Sequence, residues 1–247
     1  MIDIHSHILP EIDDGAKDIS ESLALLRLAQ EDGITHLVAT PHMHFGRFDN
    51  SAELIKQQFD IFRSIVAKAD INIKLAVAAE VRLDLEIMPL VKQQKLPFIG
   101  QINGVNYVLL ELPHSHMPVG FENFIRWLVK QNIVPVIPHP ERNRDIQKNV
   151  AYLTQLKKLG CELQLTAASV IGHFGVQAQQ LCEYILAHRL ADYVASDMHS
   201  VKRRPPMLTL AHERICRFSD LAYAHELFYS NPKRLTQSLF SQYDKQA

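Results

Sequence analysis

The sequence predicts a mixed α/β protein whose strands lie parallel in one sheet. Three observations predict it. Short apolar runs alternate with amphipathic helical stretches along all 247 residues, and that alternation puts helices over a sheet of parallel strands. The hydrophobic fraction, 47%, is that of a chain burying a core. No Pro/Gly/Ser-rich linker or low-complexity stretch divides the chain, so residues 1–247 read as a single domain.

The elements follow in order. The first strand is Ile2 to His7. Asp18, with Glu21 three residues later, has the spacing of a capping box. The helix it opens carries Leu25, Leu28 and Ala29 on one face and stops at Gly33. The second strand is Leu37 to Thr40. Asn50 with Glu53 predicts the next helix start, and Ile55, Phe59, Phe62 and Val66 recur at helical spacing. Further strands are predicted at Lys74–Ala79, Tyr107–Leu110, Val134–Ile137, Glu162–Leu165 and Tyr193–Ala195. Helices are predicted at Phe121–Gln131, Val150–Leu159 and Val176–Ala187. The tail from Met207 reads as helix with a break at Asn231-Pro232. An open doubly wound sheet and a closed barrel both accommodate this alternation.

Composition excludes several functions. Lys and Arg number 26 against 27 Asp and Glu, a net charge of −1, which argues against a nucleic-acid-coating protein or a polybasic membrane binder. No apolar stretch approaches the roughly 18 residues of a membrane span. The start, Met1-Ile2-Asp3-Ile4-His5, lacks a secretory signal, so a cytoplasmic location is expected. Cys161, Cys182 and Cys216 form no Cys-x-x-Cys and imply no disulfide framework. Neither a Gly-rich phosphate loop nor a Gly-x-Ser-x-Gly elbow occurs.

The chemistry lies at the strand ends. His5 and His7 end the first strand, and His42 follows the second. Glu80 follows the third, Glu111 the fourth and His139 the fifth; Asp197 and His199 follow the seventh. Only the sixth strand ends without a metal ligand. Singly, each residue has a plainer reading: a surface histidine pair, a turn, or a carboxylate paired with an arginine. Jointly, they point to a metal centre, because a barrel gathers the C-terminal ends of its strands in one cup. Imidazole and carboxylate without thiolate suit manganese, iron or zinc. Arg142 and Arg204 stand beside these histidines, and guanidinium forks match phosphate geometry. Asp14, in Asp13-Asp14-Gly15, reads on its own as a turn residue.

His5-Ser6-His7, Asp13-Asp14-Gly15, Pro41-His42, Glu80, Glu111, His139-Pro140-Glu141-Arg142, Ser196-Asp197-Met198-His199 and Arg204-Pro205-Pro206 together resemble the polymerase-and-histidinol-phosphatase (PHP) family. The branch most resembled is its manganese-dependent protein tyrosine phosphatases, associated with capsule and exopolysaccharide biosynthesis. The resemblance implies a distorted (β/α)7 TIM-like barrel and three metals. His5, His7, Glu80 and Asp197 would hold the first. Glu80, Glu111 and His139 would hold the second, and Asp14, His42 and His199 the third. Asp14 thereby moves from turn residue to ligand. The metal implied is manganese, with iron, zinc or cobalt as alternatives, and Arg142 and Arg204 would bind the phosphate. The implied substrate is a phosphotyrosine protein, a bacterial tyrosine autokinase controlling polysaccharide synthesis. Arg203 departs from the family pattern, where a glycine often precedes Arg-Pro-Pro. Pro140 follows His139 where some members carry an apolar residue.

Four rivals remain. A PHP phosphoesterase of a small ester such as histidinol phosphate would use the same metals. A barrel nuclease would need a basic stripe that a charge of −1 does not supply. An amidohydrolase commonly needs a lysine at a strand end, and none of these strands offers one. A non-catalytic metal-bound regulatory module has no reason to keep a full ligand set. A phosphocysteine route is excluded independently: six residues beyond the three cysteines stand Ala167, His188 and Ala222, so no Cys-x5-Arg loop exists. His44, His114 and His116 read as ordinary loop histidines near the rim. His36, His173, His188, His212 and His225 read as structural. Trp127, Phe121 and Phe124 read as core, with Val119, Phe121 and Phe124 as an alternative oligomer contact.

Overall fold

The computed structural model describes residues 1–244. In chain order the first half holds β1 (Ile2–Ser6), α1 (Ile19–Glu31), β2 (His36–Ala39), β3 (His42–Met43), α2 (Ala52–Val66), β4 (Lys74–Val77), β5 (Glu80–Arg82), α3 (Ile87–Lys92), β6 (Gly100–Ile102) and β7 (Val105–Glu111). The second half holds α4 (Phe121–Lys130), β8 (Ile133–Pro138), α5 (Arg144–Lys148), α6 (Ala151–Lys158), β9 (Glu162–Thr166), α7 (Ala167–Val170), α8 (Val176–Ala187), β10 (Tyr193–Ala195), α9 (Leu208–Phe218), α10 (Leu221–His225) and α11 (Asn231–Asp244).

The predicted second and third strands appear as β2 and β4, and each is followed, after a break, by a further piece that was not predicted, β3 and β5. Pro41 has no N–H for the ladder, so β2 breaks before it and resumes as β3. Across the breaks Thr40 N–H donates to Ser6 O at 2.8 Å, Ala78 N–H to Ala39 O at 2.9 Å and Glu80 N–H to Pro41 O at 3.1 Å. β1 pairs with β2 and β2 with β4, while β3, β5, β7, β8, β9 and β10 pair in succession, all parallel. The ring closes where Ser6 bridges Met198 and Asp197 N–H donates to His5 O at 2.9 Å. Of the two sheet architectures the alternation allowed, the chain adopts the closed one: a distorted seven-stranded parallel barrel. β6, which the sequence pattern did not reveal, is an antiparallel flap on β7.

Amphipathic helices coat the barrel for the predicted reason. Ile55, Phe59, Phe62 and Val66 are the buried face of α2, and Phe121, Phe124, Ile125 and Leu128 that of α4. Each such side chain contributes roughly 1.5–3 kcal/mol by leaving water. Burial of Phe121 and Phe124 removes them as oligomer contacts, leaving Val119 exposed. Asp18 caps α1 as predicted, accepting from Glu21 N–H. Asn50 does not cap α2: Ser51 does, and the Asn50 amide instead donates to Ile12 O and His42 O. The expected break at Asn231-Pro232 is not a loop, because a π-helix from Glu226 to Ser230 runs into α11. Pro232 has no N–H to donate, and the ladder is widened just before it, where Asn231 N–H donates to Glu226 O. Among the described residues no helix is long and apolar enough to cross a membrane.

Candidate active site

Register sets the site. His42 on β3 lies beside Glu80 on β5, and Arg82 beside Glu111 on β7. His5 on β1, with His7 just beyond its end, rises between these and the turn after β10. Two site residues occupy the left-handed region without being glycine, His139 at φ +39° and Asp197 at φ +52°. Such strained backbone persists where neighbours hold it, and it clusters at functional sites. His139 N–H donates to Gln164 O at 2.8 Å, which with Asp197 N–H on His5 O supplies that hold.

The nine predicted ligands converge. His5 Nε2 and His7 Nε2 lie 3.1 Å apart. Glu80 Oε2 is 3.4 and 3.3 Å from them, and Asp197 Oδ1 is 3.3 and 3.5 Å away. His5, His7 and Glu80 lie close enough together to hold one cation, as do His5, His139 and Asp197, and the two groups share His5. Glu80 Oε1 reaches His139 Nε2 at 2.7 Å, and Glu111 joins a second cluster with Glu80 and His42. Asp14 Oδ1 lies 3.2 Å from His42 Nε2 and 3.5 Å from His199 Nε2, in a third cluster that includes His7. The buried His42 Nδ1 sits 3.0 Å from Glu80 Oε2 but out of line, and has no hydrogen-bond partner.

The surrounding charge reflects crowded acids and bases. Burial pushes the Asp197 carboxyl up, but Arg204 and Arg142, with His5 and His199, outweigh it and hold the group well below the usual carboxylate range. Glu111 is pushed up by burial and by Glu80 beside it. Burial lowers His199 to about 4, with His7 adding repulsion, and it takes His139 well down, helped by Arg142. Burial also opposes charging His7 and His42. Asp13 nevertheless raises His7 to about 9, and Glu80 with Asp14 raises His42 to about 11. A ligand must be deprotonated to bind a metal, so protons on His7 and His42 compete with the cation. Loading should strengthen as pH rises from about 6 to 8 and release protons near neutrality, at most two from these histidines. Titrating metal into weakly buffered protein checks this; loading with no proton release and no pH dependence would contradict it.

Supporting residues that the sequence reading passed over now have roles. Asp13 accepts from His7 Nδ1 at 2.7 Å and from the His42 backbone N–H at 2.9 Å, fixing the His7 ring and the backbone at His42. A Cβ on Gly15 would stand 2.2 Å from His7 O, so only glycine fits against the histidine strand. Gln164 Oε1 lies 2.7 Å from His5 Nδ1. Asp3 takes Ser196 N–H and its hydroxyl, anchoring the seventh-strand turn. Glu111 does pair with an arginine, Arg82 at 3.1 Å, whereas Glu80 contacts histidines. His44 and His114 line the same cavity of about 280 Å³, whereas His116 does not. His114 stacks on His139 with ring centres 5.1 Å apart. Asp197 Oδ2 accepts from Arg142 and from Arg204, each at 2.5 Å. No cysteine lines this cavity.

Residues 1–237 match the profile of the family described as capsular polysaccharide synthesis, CpsB/CapC. The chain belongs to the CpsB/CapC family. It is 37% identical over 205 residues to the tyrosine-protein phosphatase YwqE of Bacillus subtilis, covering 83% of this chain and 79% of YwqE. It is 30% identical over 244 residues to the tyrosine-protein phosphatase CpsB of Streptococcus pneumoniae, covering 95% of this chain and 98% of CpsB. A solved structure from work on YwqE and CpsB, described as unique metal-dependent tyrosine phosphatases, superposes with a TM-score of 0.87 at 32% identity. It covers 96% of this chain and 95% of that one. A lactonase from Listeria monocytogenes superposes at 0.54 with 13% identity, over 95% of this chain and 93% of the lactonase, a likeness of fold alone. The CpsB/CapC barrel of this chain thus carries every predicted ligand at one end.

Proposed function

We propose that residues 1–247 form one domain, a metal-dependent protein tyrosine phosphatase acting in the cytoplasm on a phosphorylated bacterial tyrosine kinase of polysaccharide synthesis. The observation that carries the reading is the convergence of Glu80 and Asp197 on His5 and His7, each carboxylate 3.3–3.5 Å from both histidines, with two arginines on the far oxygen of Asp197. In this reading His5, His7, Glu80 and Asp197 hold one metal and Glu80, Glu111 and His139 a second. Asp14, His42 and His199 hold a third. The donor set, imidazole and carboxylate without thiolate, supports manganese, with iron, zinc or cobalt as alternatives. When bound, such metals polarise phosphoryl oxygens and lower the pKa of water.

The protein's own groups supply the rest. Asp197 divides its two oxygens between the metal ligands and the arginines. One guanidinium N–H of each arginine is thereby fixed, which leaves their other donors for the equatorial phosphate oxygens. Asp13 and Gln164 hold His7 and His5 in their tautomers and orientations. A phenolate, with a parent pKa of about 10, leaves with less protonation than an alkoxide needs. The thiol of Cys161 is pushed up to about 12 by burial, far from a nucleophile's range.

The test is phosphate release by metal-stripped protein after manganese is restored, on phosphotyrosine peptides, phosphoserine peptides and histidinol phosphate in parallel. A manganese-dependent preference for phosphotyrosine is expected. Preference for the small ester would replace the substrate and keep the site.

A further inference from the structure

The sixth strand ends without a ligand, yet its loop carries the contact that joins the two arginines. Arg142 lies on the loop after β8 and Arg204 on the loop after β10. Both guanidiniums stand over one ring, that of Phe174, with carbon-to-centroid distances of 4.9 and 5.5 Å. Both also donate to the single oxygen Asp197 Oδ2. The Nε atoms of Arg142 and Arg204 are buried with no hydrogen-bond partner. So two like charges sit side by side, and each is held by one shared carboxylate oxygen and one shared aromatic face. The face of an aromatic ring carries negative potential and attracts guanidinium.

The loop is built to present that ring. Gly172 and Gly175 bracket it at φ +87° and +91°, in the left-handed region open to glycine. His173 Nε2 bonds Arg203 O at 2.9 Å, tying the loop to the segment that bears Arg204. Gly172 N–H and His173 N–H donate back to Ser169 O and Ala168 O, fixing the loop on α7.

We propose that Phe174 is a positioning residue for phosphate binding, an aromatic clamp that sets the spacing of Arg142 and Arg204. This rests on the reading of those arginines as phosphate donors. The Phe174 ring meets Arg142, Arg204 and the His173 ring, none of them a predicted metal ligand. Its loss should therefore weaken phosphate binding without emptying the metal site. Replacing the ring by an aliphatic group removes two cation–π contacts, and a rise in KM of about tenfold is expected.

The experiment compares Phe174→Leu, Phe174→Tyr and Arg142→Lys in the manganese-loaded enzyme. KM, kcat and the competitive inhibition constant of inorganic phosphate are measured, with bound metal counted. Phe174→Leu should raise KM and the phosphate constant together by about tenfold, change kcat by less than about threefold and keep its metal, while Phe174→Tyr stays near wild type. If Phe174→Leu binds phosphate normally while Arg142→Lys is impaired, the clamp is wrong and the arginine reading stands. If Phe174→Tyr is as impaired as Phe174→Leu, the aromatic face is not what matters and the clamp is wrong. If Arg142→Lys is also unaffected, the arginine reading fails and the clamp fails with it.

Discussion

Replacing His139 or Asp197 by alanine should each cut turnover by about a thousandfold or more, yet only the second should unfold the protein early. Both side chains sit in the ligand clusters. They differ in what they leave behind. His139 gives up a contact of 2.7 Å with Glu80, which keeps His5, His7 and His42 as partners. Asp197 is the shared partner of Arg142 and Arg204, whose side chains are 12% and 25% exposed. Its removal strands two adjacent guanidiniums, a loss of about 3 kcal/mol or more. For a chain of this size that lowers Tm by about 6–12 °C. The Asp197 carboxyl is held below its unfolded value, so this stabilisation is present above about pH 4 and disappears as pH falls through the folded pKa. The gap between wild type and Asp197→Ala should therefore be full at neutral pH and close in acid. Thermal unfolding of the metal-free variants, beside phosphate release after reloading, measures both halves. Wild-type turnover in either variant would refute the assigned site.

Removing the metals should have the second large consequence. Four carboxylates, Asp14, Glu80, Glu111 and Asp197, converge here, and in the metal-free protein charge is balanced by protons on His7 and His42 and by the neighbouring arginines. A cation binds the folded state and has no preformed site in the unfolded chain. At a hundredfold excess over Kd each filled site stabilises by about 2.7 kcal/mol. Chelation should thus lower Tm by about 5–10 °C for each site emptied and reduce turnover to background. Restoring manganese should reverse both. A chelated protein with an unchanged Tm and unchanged turnover would contradict a resident metal centre.

Much of this was legible because the physics is local. Seven apolar runs between helical stretches are what a buried parallel sheet requires, and the ligand-type residue ending six of them announced itself against them. His42, Glu80 and Glu111 were found that way, and the barrel brings them together by register. What escaped depends on contacts between distant segments. Nothing beside Asp13 in the chain says that its carboxylate serves His7 while Asp14 turns to His42 and His199. Phe174 reads as a loop aromatic until the arginines of two other loops are seen on its face. The left-handed backbone at His139 is hidden between Pro138 and Pro140, where the sequence suggests only a turn. Asn50 lost its predicted capping role to Ser51 because its amide is occupied by the carbonyls of Ile12 and of His42 on β3. β6 is too short and too polar to stand out, and only its pairing with β7 makes it a strand.

The most direct test is a manganese titration of stripped wild-type protein, with bound metal counted by elemental analysis and phosphate release from a phosphotyrosine peptide followed at each step. Activity should be absent without metal and reach its maximum as three equivalents bind. Full activity with essentially no bound metal, or no release with three equivalents bound, would contradict a phosphatase built on these nine ligands.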